Sequence, residues 1–358
     1  DDLMEWEKRN IKLLGTDNAF AINKDGSNYK DGNGNTVRAS YSTEHHGVIA
    51  GLTPKAGERI EMSAEKIVTH NALFQGSGMD APYDEMNIMR LKYRSSNGFG
   101  FVDGIKADLS YAADEHLMDN YSLRPNMAMR MKSPTTSNTL SGKLALTSKL
   151  SSSTSVEYGL NIQNVNRKAD LVRVMPLPQT NISFNWPNVS TDRIGVFAEA
   201  LHKLTNDSRV KAGVRFDKVT SEADLLNAKA NPMAITPAQM YDRVYGYKGD
   251  GKINEDHWSA LARYELDLAK DLTWFTGVSR TMRTADETER FFANGNSIGG
   301  TTGAATGNGW VGNPNLNPEK HIQIDTGLNK QTEQYGWRAT VFYDAVEDYI
   351  LRDKYVNN

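Results

Sequence analysis

The connections between the alternating segments of this chain are short and long in regular succession. Gly15–Asn18, Thr53–Glu58, Ser95–Gly104, Leu150–Ser153, Thr205–Asp207, Ala269–Asp271 and Thr332–Tyr335 are the short ones. Between them lie Gly26–Thr36, Asn71–Met86, Glu115–Asn138, Arg167–Thr191, Ser221–Glu255 and Thr284–Glu319. An antiparallel barrel that crosses a membrane has this form, with tight turns on one side and large loops on the other. A soluble sandwich has no reason to sort its loops by parity. The expected fold is therefore all-β, an antiparallel transmembrane β-barrel of about fourteen strands within the 358 residues.

Alternation within the segments supports the same architecture. Trp258, Ala260, Ala262, Tyr264, Leu266 and Leu268 share one face, and Ser259, Arg263, Glu265 and Asp267 share the other. Ile105–Asp114, Arg209–Asp217 and Trp337–Ala345 repeat the scheme, with Leu261 and Phe342 as single breaks. Runs of roughly ten residues suit a tilted strand crossing a bilayer, whereas soluble strands average about five or six. Trp6, Trp258, Trp274, Trp337, Tyr343 and Tyr349 lie in or near strand ends, as an interfacial girdle requires.

No run of eighteen apolar residues offers a membrane helix. The net charge of −3 is spread along the chain, and no basic stripe points to nucleic acid. With no cysteine, disulfides, thiolate metal sites and cysteine nucleophiles are excluded. No nucleophile elbow, phosphate loop, dinucleotide fingerprint or paired-histidine zinc helix occurs, so the reading is not enzymatic. Asp286, Glu287 and Glu289 beside Arg283 and Arg290 read as a solvated charge cluster. Asp31-Gly-Asn33-Gly-Asn35 begins like a calcium loop, but Thr36 and Ser42 replace its glycine and closing acid, and a turn is the simpler reading. A short helix is expected from Pro237, capped by Thr236. The opening Asp1-Asp2-Leu3-Met4 does not begin a signal peptide, so any targeting segment is expected outside the chain.

Methionine carries the sharper chemical signal. Thirteen are present, eight of them between Met62 and Met131. His116-Leu117-Met118 sets an imidazole and a thioether on one side of an extended backbone. Met127, Met129 and Met131 repeat that spacing, and Met79 follows Gly76-Ser-Gly78 in an expected loop. Thioether with imidazole is a soft donor set that favours Cu(I). Methionine on a barrel strand also serves as lipid-facing or packing side chain, and both readings stand on the residues alone.

Gly312-Asn-Pro-Asn-Leu-Asn-Pro-Glu-Lys320 and the following strand His321–Lys330 resemble the barrel motif of TonB-dependent outer-membrane receptors. Leu272–Arg283 and Val341–Ile350 are similar to strands of the same family. Tyr29–Val37, Gly78-Met-Asp80 and Glu115–Arg124 resemble its copper-receptor branch. The resemblance implies a barrel of about 22 strands with an N-terminal plug and a segment contacting TonB. It implies that His116 and Met118 match a His-x-Met pair that joins a Cys-x-x-x-Met pair of the plug in holding copper. The second pair has no counterpart in residues 1–358, so the chain is expected to be an incomplete barrel lacking the plug and the C-terminal strands.

The resulting expectation is part of a receptor that imports copper across a bacterial outer membrane, surrounded by outer-membrane lipid and energised by TonB through the absent N-terminal region. His116 and Met118 are its metal ligands, with Met79, Met127 and Met129 as further candidates. One alternative keeps the barrel but carries a metal chelate such as a siderophore. Another is a soluble extracellular β-sandwich, which leaves the loop parity unexplained.

Overall fold

The computed structural model describes residues 40–74, 78–123, 129–294 and 310–352. They form one sheet of twelve antiparallel strands in which every strand pairs with its chain neighbours. In order these are β1 Ser40–Leu52, β2 Glu58–Leu73, β3 Asp80–Ser95, β4 Gly104–Asp119, β5 Arg130–Lys149 and β6 Thr154–Met175. There follow β7 Thr180–Lys203, β8 Ser208–Ala223, β9 Lys252–Ala269, β10 Leu272–Arg283, β11 Glu319–Gln331 and β12 Gly336–Glu347. The two further strands expected before Ser40, Trp6, the Tyr29–Val37 motif with its Asp31–Asn35 turn, and Met127 lie outside the described residues. Among the described residues no helix is long and apolar enough to cross a membrane.

Register converts the alternation into two continuous faces. Met89 stands opposite Tyr111 and Leu91 opposite Leu109, and all four are exposed, at 41–62%. Ile194, Val196, Val214, Phe216, Ile322 and Ile324 extend this apolar surface across the later strands. A band of exposed apolar side chains on one face of a sheet is what lipid contact requires. The opposite face is polar and tied by ions. Arg209 reaches Glu265 at 2.7 Å and Asp267 at 3.0 Å, while Arg263 holds Glu265 at 2.7 Å and Asp325 at 3.4 Å. Phe275 is enclosed on this lumen face, with the Arg263 and Arg338 guanidinium groups 4.0 and 4.7 Å from its ring centre.

The short connections fall where the parity places them, at residues 53–57, 96–103, 150–153, 204–207, 270–271 and 332–335. Three of the expected long loops are largely strand instead. Asn71–Met86 leaves only residues 74–79 between β2 and β3, and Glu115–Asn138 only 120–129 between β4 and β5. Arg167–Thr191 shrinks to 176–179, because β6 and β7 run for 22 and 24 residues. The reason is physical: above the lipid the outward face no longer needs apolar residues, so alternation disappears while ladder hydrogen bonding continues.

The other two long connections fold together into a cap. Residues 224–251 contain helix α1, Pro237–Tyr245, and residues 284–318 contain the one-turn helix α2, Glu287–Phe291. Thr236 caps α1 as expected: its hydroxyl accepts from Gln239 N at 3.2 Å, and Gln239 Oε1 accepts from Thr236 N at 2.9 Å. Gly246, at φ 67°, closes the helix in the left-handed conformation. Met240 and Tyr241 of α1 pack with Leu226, Phe291 and Val189 in a buried core. The Tyr241 hydroxyl donates to the Phe291 carbonyl at 2.6 Å, which fastens one loop to the other.

The charged cluster in this cap is solvated only in part: Asp286 is exposed as the sequence suggests, whereas two of its neighbours are enclosed. Arg290 is 1% and Glu287 6% exposed. Arg290 Nη2 donates to Glu255 Oε1 at 2.6 Å, and Arg283 spans Glu289 at 2.8 Å and Glu319 at 2.7 Å. Two loops closing over the cluster exclude the water that separate stretches of polar sequence would retain. The Gly312–Lys320 motif locks this arrangement. A Cβ on Gly312 would meet the Arg290 carbonyl carbon at 2.7 Å, and Gly312 N donates to Phe292 O at 2.7 Å.

Candidate functional site

Strand parity decides where His116 and Met118 face. On β4 the outward positions are Leu109, Tyr111 and their odd-numbered neighbours, so Ser110, Asp114, His116 and Met118 share the lumen face. His116 stands in register with Asp84 on β3 and Thr135 on β5, above the apolar band and near the long-connection end. Its Nδ1 lies 2.9 Å from Asp84 Oδ2. An ionised carboxylate only accepts, so Nδ1 carries the proton and donates, which leaves the Nε2 lone pair for a ligand. Asp114, two residues earlier on the same face, has its Oδ1 buried and unpartnered among the described residues.

The ends of these strands are fixed by side-chain turns. Asp119 Oδ1 accepts from Tyr121 N at 2.9 Å and from Ser122 N at 2.7 Å, while Asp80 Oδ1 accepts from Phe74 N at 3.0 Å. Asn120 bridges to the next strand: its Nδ2 donates to Met129 O at 3.0 Å, and its Oδ1 accepts from Met131 N at 2.8 Å.

These contacts place the methionines. Met118 stands in register with Ser133, and Met131 joins the lumen face of β5 two residues further out. Met79 is half-buried and immediately precedes Asp80, whose register partner is Asp119, so it reaches the same hairpin end as Met118. Met129 precedes β5 and is 54% exposed. His116, Met118, Met131 and Met79 thus occupy one end of β3–β5, with Met129 at its margin. Among the described residues, no three His, Asp or Glu side chains converge as a metal site. The chain supplies an oriented imidazole and nearby thioethers, a partial donor set.

Asp84 and Asp114 were missed by sequence reading. Asp84 lies in what read as a loop, and its pairing with His116 depends on a register between strands that no local pattern discloses.

A twelve-stranded meander with an apolar outer band, an ionic inner face and loops on one side agrees with the family comparison. The family model described as "TonB dependent receptor-like, beta-barrel" matches residues 6–358. The chain belongs to the TonB-dependent receptor family. Receptors of this family reside in the bacterial outer membrane, which explains the lipid-facing band. Among solved structures, this receptor chain is similar to the copper transporter OprC, with TM-score 0.69 and 23% identity over 90% of this chain and 48% of that one. It is also similar to the ferric yersiniabactin uptake receptor FyuA from Yersinia pestis, with TM-score 0.58 and 15% identity over 86% and 46%. A third is the Serratia marcescens hemophore receptor HasR, solved with its hemophore HasA and heme, with TM-score 0.62 and 14% identity over 90% and 49%. The chain spans about half the length of each of these receptors. No curated protein matches the receptor chain by sequence.

Proposed function

We propose that this chain forms part of the barrel wall and extracellular rim of an outer-membrane receptor that imports copper, energised through TonB. The observation that carries the reading is the His116–Asp84 contact of 2.9 Å on the lumen face, with Met118 two residues along the same face. Asp84 holds Nδ1, His116 Nε2 and Met118 Sδ present a soft donor pair, and such pairs favour Cu(I) over harder ions. Met131 and Met79 lie close enough in register to extend the thioether surface along the entry path. The remaining ligands, the plug and the TonB contact belong to parts of the receptor other than this chain. The rim selects the ion, and movement of the plug releases it inward.

Copper content of the purified full receptor tests the assignment. His116→Ala and Met118→Ala should each strip tightly bound copper, and undiminished copper in both would remove these residues from the site.

A second reading is a metal chelate carried intact. It is favoured by Arg167, whose guanidinium lies 5.5 Å from the Trp186 ring and whose Nε is buried without a partner among the described residues, although its Nη1 already lies 3.5 Å from Glu287 Oε2. An aromatic–arginine pair above the lumen suits an anionic chelate. X-ray absorption on the metal-loaded full receptor separates the two, because sulfur scattering from the metal requires direct thioether ligation.

A further inference from the structure

Register sorts the methionines of β2–β4 between the two faces. Met62 and Met89 point outward, at 59% and 62% exposure, and belong to the lipid-facing band. Met86 has the opposite parity. It stands in register with Ile67 on β2 and Asp114 on β4, so it shares the lumen face with Asp84, His116 and Met118. Among the described residues of β3 and β4, no other thioether or imidazole lies on that face deeper than His116. The next rows inward are Ile88 with Ala112 and then Arg90 with Ser110. Arg90 is ion-paired to Glu65, so the soft donors end where the charged part of the wall begins.

Spacing fixes which donors one ion can share. Met118 and the row of Met86 and Asp114 are separated by about 14 Å along β4, too far for a single ion to hold both thioethers. His116 lies midway between them. From Met86 it is one diagonal step across the β3–β4 pair, about 7–8 Å, which long side chains span. Its Nδ1 donates to Asp84, so Nε2 is the one lone pair it offers, and that lone pair holds one ion at a time. Asp114, the register partner of Met86, adds a carboxylate whose Oδ1 is buried without a hydrogen-bond partner among the described residues. Its charge favours a cation at that lower level.

We propose that the lumen wall holds copper at two successive positions that share His116, an inference that rests on the copper reading above. In the outer position the ion is bound by His116 Nε2 and Met118 Sδ. In the inner position it is bound by His116 Nε2 and Met86 Sδ, beside Asp114. Transfer breaks the bond from the ion to Met118 and forms one to Met86, with no proton or electron exchanged. The imidazole stays attached throughout, so the ion steps inward without regaining a full hydration shell. Asp84 steadies the ring about which it pivots. Ile67 and Ile88 flank Met86 on the same face, an apolar edge that suits a soft ion better than a hydrated hard one. A methionine that only packed against those two side chains would be replaced by leucine without effect; a ligand would not.

The test uses the full receptor and two measurements side by side, copper bound to the purified protein and the initial rate of copper uptake by cells that carry it. Met86→Leu should keep bound copper within about twofold of wild type and slow uptake about tenfold, because one ligand is missing from the transfer step alone. Met86→Cys, which returns a sulfur donor, should recover most of that rate. Wild-type uptake in Met86→Leu overturns the proposal, as does an equal loss of uptake in the leucine and cysteine variants. Loss of bound copper in Met86→Leu overturns it too, since Met86 would then belong to the outer position. His116→Ala separates the two readings. Undiminished copper and uptake in that variant remove the copper reading itself, whereas their loss beside wild-type uptake in Met86→Leu removes the inner position only. Should Met86→Leu fail to fold, Met86→Gln, unbranched and without sulfur, carries the same expectation.

Discussion

Arg290, from the loop after β10, and Glu255, from the rim of β9, meet at 2.6 Å in a space from which solvent is almost wholly excluded. Arg290 Nε and Nη1 have no partner among the described residues, so this one contact carries most of the compensation for the buried charge. Arg290→Ala would leave Glu255 enclosed with His257 and Thr284 as its remaining neighbours. Breaking such a pair costs about 3–5 kcal/mol. The loss should appear as faster hydrogen exchange throughout residues 284–294, with exchange in the strand interiors of β5–β8 unchanged.

Asp84 should act on metal affinity without being a ligand. Asp84→Asn keeps the shape but removes the charge that fixes the imidazole through Nδ1. Outer-shell changes of this kind reduce metal affinity by about 10–100-fold. Competition with a Cu(I) chelator on the full receptor measures it, and an affinity equal to wild type would argue against His116 as a ligand.

The cap should resist alkali until its phenols ionise. Burial pushes Tyr241 well above the ordinary value of 10.0, with the nearby Tyr247 adding to the shift. Burial also raises Tyr245 and Tyr247. A group whose folded value is raised contributes stability that is fully present below its unfolded value. That stability is lost as pH rises from about 10 through the folded value. Phenolate absorbance should therefore lag behind that of an unfolded chain above pH 10, and loss of α1 protection should accompany its late rise.

Charge placed on the two faces should separate lipid from lumen. Leu109→Arg, on the outward face, should cost about 2–4 kcal/mol near mid-bilayer. Ser110→Arg, one residue away on the lumen face, should cost far less. Urea unfolding of the full receptor in bilayers, followed by heat-modified migration, compares the two.

Much of this fold was legible locally. The turns at 150–153 and 332–335 emerge where the loop parity puts them, because lipid imposes a period of two that stops at the water boundary. The shared face of His116 and Met118 follows from the same period. Where lipid no longer acts, legibility fails: β6 and β7 continue through Arg167–Thr191 on hydrogen bonds that any polar sequence can make. Burial of Arg290 depends on Gly312 closing over it, and the Asp84 contact depends on inter-strand register. Both are decided by partners distant in sequence.

The length of the β6–β7 hairpin has a consequence at the cell surface. From the level of Ile194 outward, β7 continues to Thr180, a stretch of roughly 40 Å along the strand. Its tip at residues 176–179 carries Leu177 at 73% exposure. A ridge of that length carries its tip beyond the apolar band, which opens residues 176–179 to an antibody at the cell surface and makes them a place to insert an epitope on a different hairpin from His116 and Met118.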